Sequence, residues 1–309
     1  MALKSLLITI ITFQLLAPIA LGQSFNKAQD NPLESKDKQL LPKKDDHTDK
    51  LLLASDKIEL DNSLVPRDSW NDLLISFTWL FKGAYLQFTQ VNNLYYLPPA
   101  VATTWYAFEE DERISAYARS RKLRKHVDIV GDMGVVLNFP FLPAAFYYYG
   151  RAYDNHHAVQ FGMEYFAALY LALSESGVLS FFDVHERPEK HELSFWETQF
   201  RGDSSWPSGH IIPYTTLFFK TMQFYGPYWS ILPLIGSVWS SQQRVQDGKH
   251  WLSDVVASFW LSAFASEGVR AAGKYKNNHP FYKWIFEREA RVGIIHHQNK
   301  IGPRIVWNF

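Results

Sequence analysis

The uneven distribution of aromatic residues is the feature that most restricts how this 309-residue chain can fold. All eleven tryptophans lie from Trp70 onward, whereas residues 23–66 contain 16 Lys, Asp or Glu side chains and a single aromatic residue, Phe25. A stretch of that composition cannot bury enough apolar surface to offset its loss of conformational entropy. We therefore predict a disordered polar linker over 23–66 and one folded domain over residues 67–309.

Residues 1–22 have the pattern of a secretory signal peptide. Lys4 supplies a positive charge, an apolar stretch runs from Leu6 to Leu16, and small residues follow at 20 and 22. A retained membrane anchor is the alternative, although the apolar stretch is short for a membrane span. We expect cleavage near Gln23 and export of the protein, to the periplasm or the medium, with integral membrane attachment as the alternative.

Apolar periodicity in the folded region predicts an all-α domain. Asp68 and Ser69 are candidate caps for a first helix that reaches Phe88, and Pro140 with Pro143 should kink the third helix. Alternation with a period of two is scarce, so no sheet is expected. The remaining helices are predicted over Pro99–Tyr117, Val127–Tyr149 and His157–Leu173, and after His210 and His250.

Two uncharged segments, Met133–Gly150 and Thr221–Gln243, are long enough to cross a bilayer. Prolines and glycines interrupt both segments, and charged residues border them. Buried helices of a soluble bundle explain the pattern as well as membrane spans do. The densely basic run Arg119–His126 is either a solvated helix end or a patch that docks on anionic lipid headgroups, so peripheral membrane contact is one expectation.

The composition excludes several classes of function. The chain has no cysteine, which excludes disulfides, Cys-ligated metals and thiol catalysis. Its 31 basic and 31 acidic side chains give a formal net charge of zero, which argues against a nucleic-acid partner.

The tetrapeptide Pro207-Ser208-Gly209-His210 opens a helical pattern. Ser208 at the cap with Gly209 behind it would leave backbone N–H groups available at the positive end of a helix, which suits an anion. His210 would then lie beside that anion. A simple helix cap with an incidental histidine explains the tetrapeptide equally well.

His250 and Asp254 are four residues apart, so on a helix they share one face. The carboxylate can hold the proton on one imidazole nitrogen and leave the other nitrogen as a nucleophile or base. A surface pair of modest energy is the alternative. Arg187 and Arg244, if they converge, would bind a tetrahedral oxyanion. No further ligands with metal-site spacing accompany the His–Asp pair, so neither a metal nor another cofactor is predicted.

Taken in order, Arg187-Pro188, Pro207-Ser208-Gly209-His210 and Arg244-x5-His250-x3-Asp254 resemble the three-part signature of the phosphatidic acid phosphatase type 2 superfamily. This superfamily also includes class A acid phosphatases and vanadium haloperoxidases. The resemblance covers about residues 173–266 and implies one helical bundle of the acid phosphatase and vanadium haloperoxidase type. It also implies a metal-independent phosphatase acting on phosphomonoesters or diphosphates, with a lipid-linked phosphate as the preferred substrate.

The resemblance implies a role for each residue of the three motifs. His250 would attack phosphorus and form a phosphohistidine, with its ring held by Asp254. His210 would protonate the leaving group and then activate water. The groups that would bind the phosphoryl oxygens are Arg187, Arg244, the Ser208 hydroxyl and the Gly209 amide.

Two positions depart from the family pattern. Ser180 stands where the family has a lysine seven residues before the first arginine, and Gln243 stands where a serine precedes the third-motif arginine. Lys190 or Lys249 could supply the missing cation. The missing lysine motivates one alternative, a non-catalytic lipid-phosphate-binding protein, which would tolerate loss of His250. The family resemblance leaves another, a vanadate-dependent haloperoxidase, which would oxidise halides with peroxide.

Overall fold

The computed structural model describes residues 68–189 and 204–286, together with the backbone of residues 290–297 and 300–307. The predicted signal peptide, the predicted linker and Lys190 lie outside the described residues. Along the described part the elements are α1 (Ser69–Leu86), α2 (Val91–Arg119), α3 (Lys125–Leu137), α4 (Phe141–Ala152), α5 (His156–Leu179), α6 (Ile212–Tyr225), α7 (Pro227–Gln246), α8 (Leu252–Gly273), α9 (Pro280–Phe286), β1 (Ala290–His297) and β2 (Lys300–Trp307).

The prediction of an all-α fold is confirmed for the body of the domain. Asp68 caps α1 as expected, because its side chain accepts a hydrogen bond from the Trp70 N–H. α2 begins eight residues before the predicted start, and Pro98 and Pro99 lie within it. α5 also continues beyond the predicted Leu173, to Leu179.

The predicted third helix is divided into two. α3 and α4 are bent by 69° at the break between them, and Pro140 occupies the N-cap of α4. The proline therefore ends one helix and starts the next, where its missing N–H costs least. Among the described residues no single helix is both long and apolar enough to cross a bilayer, whereas α3 and α4 together reach the required length and composition.

A terminal hairpin was not predicted. β1 pairs antiparallel with β2, in a register that sets Ala290 opposite Trp307 and His297 opposite Lys300. The sequence gives no clean alternation here, because Ile294-Ile295 and His296-His297 place like residues side by side. The hairpin follows the helical body and adds no layer to it.

α5 and α8 form the centre of the bundle, with α1, α2, α4 and α6 packed around them. Phe161, Tyr165 and Leu169 recur at helical spacing on α5 and are fully buried. α1 crosses α8 closely because Gly83 and Gly268 lie at the contact. A Cβ on Gly268 would overlap the Gly83 carbonyl oxygen, and a Cβ on Gly83 would overlap the Val269 side chain. α7 packs on α6 and α3, outside this centre.

The interior also contains a charged network. Lys220 on α6 is fully buried and donates to Glu164 and Gln223, at 2.6 Å each. Gln223 donates to the equally buried Glu267, which also accepts from Tyr282 and Arg270. Each buried charge therefore has an opposite charge and further hydrogen bonds, the condition under which buried ions are tolerated.

Candidate active site

Asp254 joins the third motif to the start of α8. The helix has its N-cap at Trp251, so His250 lies just before the helix rather than on the same helical face as Asp254, which corrects the predicted arrangement. One carboxylate oxygen, Oδ2, accepts from the Trp251 N–H at 2.9 Å and lies 3.2 Å from His250 Nδ1. Both side chains are fully buried. The carboxylate that caps the helix thus also orients the histidine ring.

The other Asp254 oxygen faces a second histidine. His185 Nδ1 lies 3.8 Å from Asp254 Oδ1, and the His185 ring stacks on Trp251 with centroids 4.9 Å apart. Burial by itself raises the pKa of Asp254, but the neighbouring His185 and His250 and the hydrogen bond from the Trp251 N–H outweigh it and hold that pKa below its ordinary value. Asp254 is therefore anionic at neutral pH despite its burial.

Asp111 on α2 supports this histidine from the other side. Its carboxylate accepts from the Ser253 N–H at 2.9 Å and from the Ser253 hydroxyl at 2.5 Å, and it lies 3.8 Å from His185 Nδ1. Burial raises the pKa of Asp111, and the Ser253 hydrogen bonds partly offset this. α2 is thereby attached to the first turn of α8, directly beside the His–Asp pair.

The second motif is hydrogen-bonded to α8. The Ser208 N–H donates to the Asp254 carbonyl at 3.2 Å, and the Ser258 hydroxyl donates to the Ser208 carbonyl at 2.8 Å. The prediction that Ser208 caps the following helix is wrong, because α6 has its N-cap at Ile211. Gly209 and His210 form the turn between Ser208 and that helix. Hydrogen bonds to α8, and not a place at the N-cap of α6, therefore fix the position of the motif.

His210 approaches His250 across the site. The centroids of the two rings are 6.1 Å apart and the ring planes are inclined by 60°. α3 passes close behind His210, since a Cβ on Gly134 would overlap the His210 carbonyl oxygen. Two imidazoles from residues 40 apart in sequence therefore lie close together in the site.

The first motif is fastened to the other two. The Trp251 indole N–H donates to the Glu186 carbonyl at 2.6 Å, and the Glu189 N–H donates to the Gly248 carbonyl at 3.1 Å. The His185 carbonyl accepts from the Ser205 N–H at 2.8 Å. Arg187 lies between these attachments, so its backbone is held beside the loop that carries His250.

Arg244 lies at the end of α7 and is 4% exposed. Burial lowers its pKa, three carboxylates led by Asp132 oppose this, and the positive charge of Arg187 lowers the pKa further. The influence of Arg187 means that the two guanidinium groups lie close enough to interact electrostatically. One terminal nitrogen of Arg244 donates to the Gly131 carbonyl at 3.3 Å and to Asp132 at 3.4 Å.

Gln243 occupies the position at which the family pattern has a serine. Its amide donates to Asp128 and Asp132, at 3.3 and 3.2 Å, and the side chain packs where a Cβ on Gly131 would lie. The larger residue is accommodated because α3 has a glycine opposite it. Gln243 therefore helps to hold Asp132 beside Arg244.

The missing lysine has no replacement at its own position. Ser180 is buried at the C-cap of α5, and its hydroxyl donates to the Gly177 carbonyl at 2.7 Å. Lys249 pairs with Asp247 at 3.1 Å and is about a third exposed. Among the described residues no group of three or more His, Asp or Glu side chains is arranged to hold a metal ion.

These geometric results agree with the comparison against protein families. Residues 180–277 match the family described as PAP2 superfamily. This chain carries a PAP2 superfamily region. The match begins at Ser180 and includes all three motifs, and it confirms the resemblance inferred from them. PAP2 proteins have an all-α fold and are generally phosphatases, so the family implies phosphatase-type activity on phosphate esters. No curated protein and no solved structure gives a match.

The PAP2 motifs omit residues that the structure brings to the site. Asp111 lies on α2, outside the matched segment, and the sequence indicated only that it belongs to an acidic stretch. The sequence pattern that could have identified Asp111 is the helical spacing of the small or polar residues on the buried side of α2, namely Thr104, Ala107, Asp111 and Ser115. Asp132 had no signal of its own, because an exposed acid on a helix is ordinary.

Proposed function

We propose that this PAP2 protein hydrolyses phosphomonoesters or diphosphates without a metal ion, through a phosphohistidine on His250. The observation that carries the proposal is the pair of imidazoles, with centroids 6.1 Å apart and Asp254 on the Nδ1 side of His250. A nucleophile oriented by a buried anion and a second titratable ring nearby are the parts that a two-step phosphoryl transfer needs.

The first step transfers the phosphoryl group to the enzyme. Asp254 keeps the proton on Nδ1 of His250, so the lone pair of Nε2 attacks phosphorus. The bond between phosphorus and the ester oxygen breaks, and His210 donates a proton to that oxygen. The lowered pKa of Asp254 supports this role, because an anionic carboxylate stabilises the imidazole as it gains positive character.

The second step releases phosphate. His210, now neutral, removes a proton from water, and the water oxygen attacks phosphorus. The bond between phosphorus and Nε2 of His250 breaks, which returns the electron pair to the ring and restores the starting state. One histidine therefore serves as acid in the first step and as base in the second.

Three buried groups are suited to hold the phosphoryl oxygens. Arg187 Nε, Arg244 Nε and the Ser208 hydroxyl are shielded from solvent and lack a hydrogen-bond partner within the described residues. Buried donors of this kind are ordinarily satisfied, so a bound oxyanion would complete them. Two guanidinium groups would also stabilise the charge of the transition state, which supports a mechanism without metal.

A lipid-linked substrate is supported by a neighbouring cavity. An apolar space of about 570 Å³ lies between α1, α2, α5 and α8, with Leu97, Ala100 and Leu171 among its lining residues. Trp206 and Pro207, which also line it, directly precede Ser208. A phosphate in the site would thus have an apolar space close by for a hydrocarbon chain, and pockets of this size commonly hold small ligands.

The test is hydrolysis of p-nitrophenyl phosphate by the purified protein in excess EDTA. We expect turnover that His250→Ala abolishes and that His156→Ala, an exposed histidine at the start of α5, leaves within twofold. Rapid acid-free quenching with radiolabelled phosphate ester should trap an acid-labile, alkali-stable phosphoprotein. Turnover that EDTA stops, or that persists in His250→Ala, would contradict the proposal.

A second candidate function is supported by Ser180. The site lacks the family lysine there, and Lys249 is paired with Asp247, so binding without turnover is the alternative. A non-catalytic protein would bind lipid phosphates with similar affinity before and after His250→Ala. Calorimetric titration of a short-chain phosphatidic acid, run beside the hydrolysis assay, separates the two functions.

A further inference from the structure

α7 has its polar and apolar sides inverted relative to a helix in water. Leu232 is 78% exposed, and the other exposed side chains from Tyr228 to Trp239 are also apolar. The inward side is small or polar. A surface helix of a water-soluble domain shows the opposite arrangement. The outward residues are Tyr228, Trp229, Ile231, Leu232, Ile235, Val238 and Trp239, and the inward residues include Ser230, Gly236, Ser237, Ser240 and Gln243.

α3 continues this inversion beside α7. Gly131 and Gly134 are buried, the first against Gln243 and the second near Ser240, so the two helices touch through small residues. Ile129, Met133 and Val136 are exposed and recur at positions i, i+4 and i+7. We call these three residues and the seven outward residues of α7 the α3–α7 face.

A basic loop adjoins the α3–α7 face. The loop between α2 and α3, taken with its flanking residues Arg119 and Lys125, contains five Arg or Lys side chains and no acid. His126, at its end, packs against Trp239 with ring centroids 5.0 Å apart. The two exposed acids that follow on α3, Asp128 and Asp132, are turned to Gln243, and Asp132 also to Arg244. The loop therefore keeps a net positive charge beside an apolar surface.

The basic loop is also fixed at the edge of the phosphate site. The Gln246 amide donates to the carbonyls of Ala118 and Arg121, at 3.2 and 3.3 Å. Gln246 is two residues after Arg244 on the same helix. A surface that the loop contacts would therefore lie close to the phosphate-binding arginine.

We propose that the α3–α7 face and the basic loop dock on an anionic phospholipid bilayer and so hold the phosphate site at the level of the headgroups. Positive side chains bind acidic headgroups, and Trp and Tyr at the ends of an apolar stretch favour the interface. Tyr228 and Trp239 are about 16 Å apart along the helix, and both rings can lie at one interface when α7 is parallel to the bilayer plane. The use of docking for catalysis rests on the proposed function, whereas docking itself does not.

The α3–α7 face is favoured over the outer side of α1, which also exposes aromatic residues. Phe77 and Phe81 of α1 line two cavities, so part of that side already has a place in the protein's own pockets. No basic run adjoins α1 within the described residues. Of these two faces, only the α3–α7 face is therefore complementary in charge to acidic lipid.

The test is flotation of the purified protein with phosphatidylcholine vesicles, with and without 30% phosphatidylglycerol. Lys122→Gln/Arg124→Gln/Lys125→Gln removes three charges of the loop. Lys274→Gln/Lys276→Gln/Lys283→Gln is the matched control, because these lysines follow the far end of α8, about 33 Å along the helix from its start beside His250. Leu232→Gln/Val238→Gln tests the apolar part, with Trp284→Gln/Ile285→Gln as its control.

We expect binding to the anionic vesicles only. The loop variant should bind at least tenfold more weakly, since each surface cation contributes about fivefold, and both controls should stay within twofold of the parent. Hydrolysis of p-nitrophenyl phosphate should be unchanged in all four variants. Hydrolysis of a vesicle-embedded phosphate should fall in the loop variant and in Leu232→Gln/Val238→Gln.

Absence of vesicle binding by a folded parent would overturn the proposal, as would equal binding of the loop variant and its control. A dimer that Leu232→Gln/Val238→Gln converts to monomer, without any vesicle binding, would identify the face as a contact between two copies instead. If the parent protein binds vesicles as expected but hydrolyses no phosphate ester, the proposed function is refuted and the docking proposal is not.

Discussion

Gly134→Ala tests the position of His210 without changing any side chain at the phosphate site. The new Cβ would lie 2.4 Å from the His210 carbonyl oxygen, and real Cβ atoms essentially never come closer than 3.0 Å to such a neighbour. Either α3 or the His210 turn must therefore move by at least about 0.6 Å. A displacement of about 1 Å at a reacting group can cost about a hundredfold in rate, so we expect a loss of roughly tenfold in kcat/KM.

The assay compares two leaving groups. A p-nitrophenolate leaves without full protonation, whereas an alkoxide needs the proton from His210. We therefore compare kcat/KM, which reports the transfer to His250 and not the later hydrolysis step; it should fall about tenfold for the alkyl phosphate and less than about threefold for p-nitrophenyl phosphate. Val135→Ala, on the exposed side of the same helix, is the control. Equal slowing of both esters, or unchanged rates in a variant with unchanged Tm, would refute the assignment of His210 as the acid.

Four further substitutions follow from the same structure. Asp254→Asn should lower kcat about 10³-fold, because the amide cannot stabilise the charged imidazole; single-turnover kinetics would check it. His185→Gln removes a group that lowers the pKa of Asp254, so the acidic limb of the pH–rate profile should move to higher pH. Burial raises the pKa of Glu175 from 4.5 to about 7. The folded state therefore keeps a proton that the unfolded state loses between those values, and stability falls as pH rises through them. Glu175→Gln should then add on the order of 3 kcal/mol at pH 8 and nothing at pH 4, measured by urea unfolding. Lys220→Met leaves Glu164 buried without its cation and should cost about 3–5 kcal/mol in urea unfolding, which Glu164→Gln in the same chain should largely recover; no recovery would show that the pair is not coupled.

The segments that the sequence predicted well are those governed by local contacts. The Asp68 cap depends on a hydrogen bond two residues away, and the helical spacing of Phe161, Tyr165 and Leu169 reflects the burial of one helix side. The prolines near residue 140 were expected to kink one helix, whereas the structure has two helices there, and the 69° bend between them depends on what α4 packs against. The Ser208 cap was wrong because α6 has its N-cap three residues later, at Ile211, and the Ser208 backbone is hydrogen-bonded instead to Asp254 and Ser258, which are distant in sequence.

The candidate site residues could be named from the sequence because their residue types and their order form the three motifs. The residues that support them could not be predicted from the sequence. Asp111 and His185 reach Asp254 from α2 and from the first-motif loop, and Gly134 has a purpose only once α3 lies behind His210. The amino-acid composition of α7 likewise does not indicate which of its sides faces outward. A sequence pattern records neighbours along the chain, whereas burial, hydrogen bonds and close backbone approach depend on which elements pack together, and only the tertiary structure decides that.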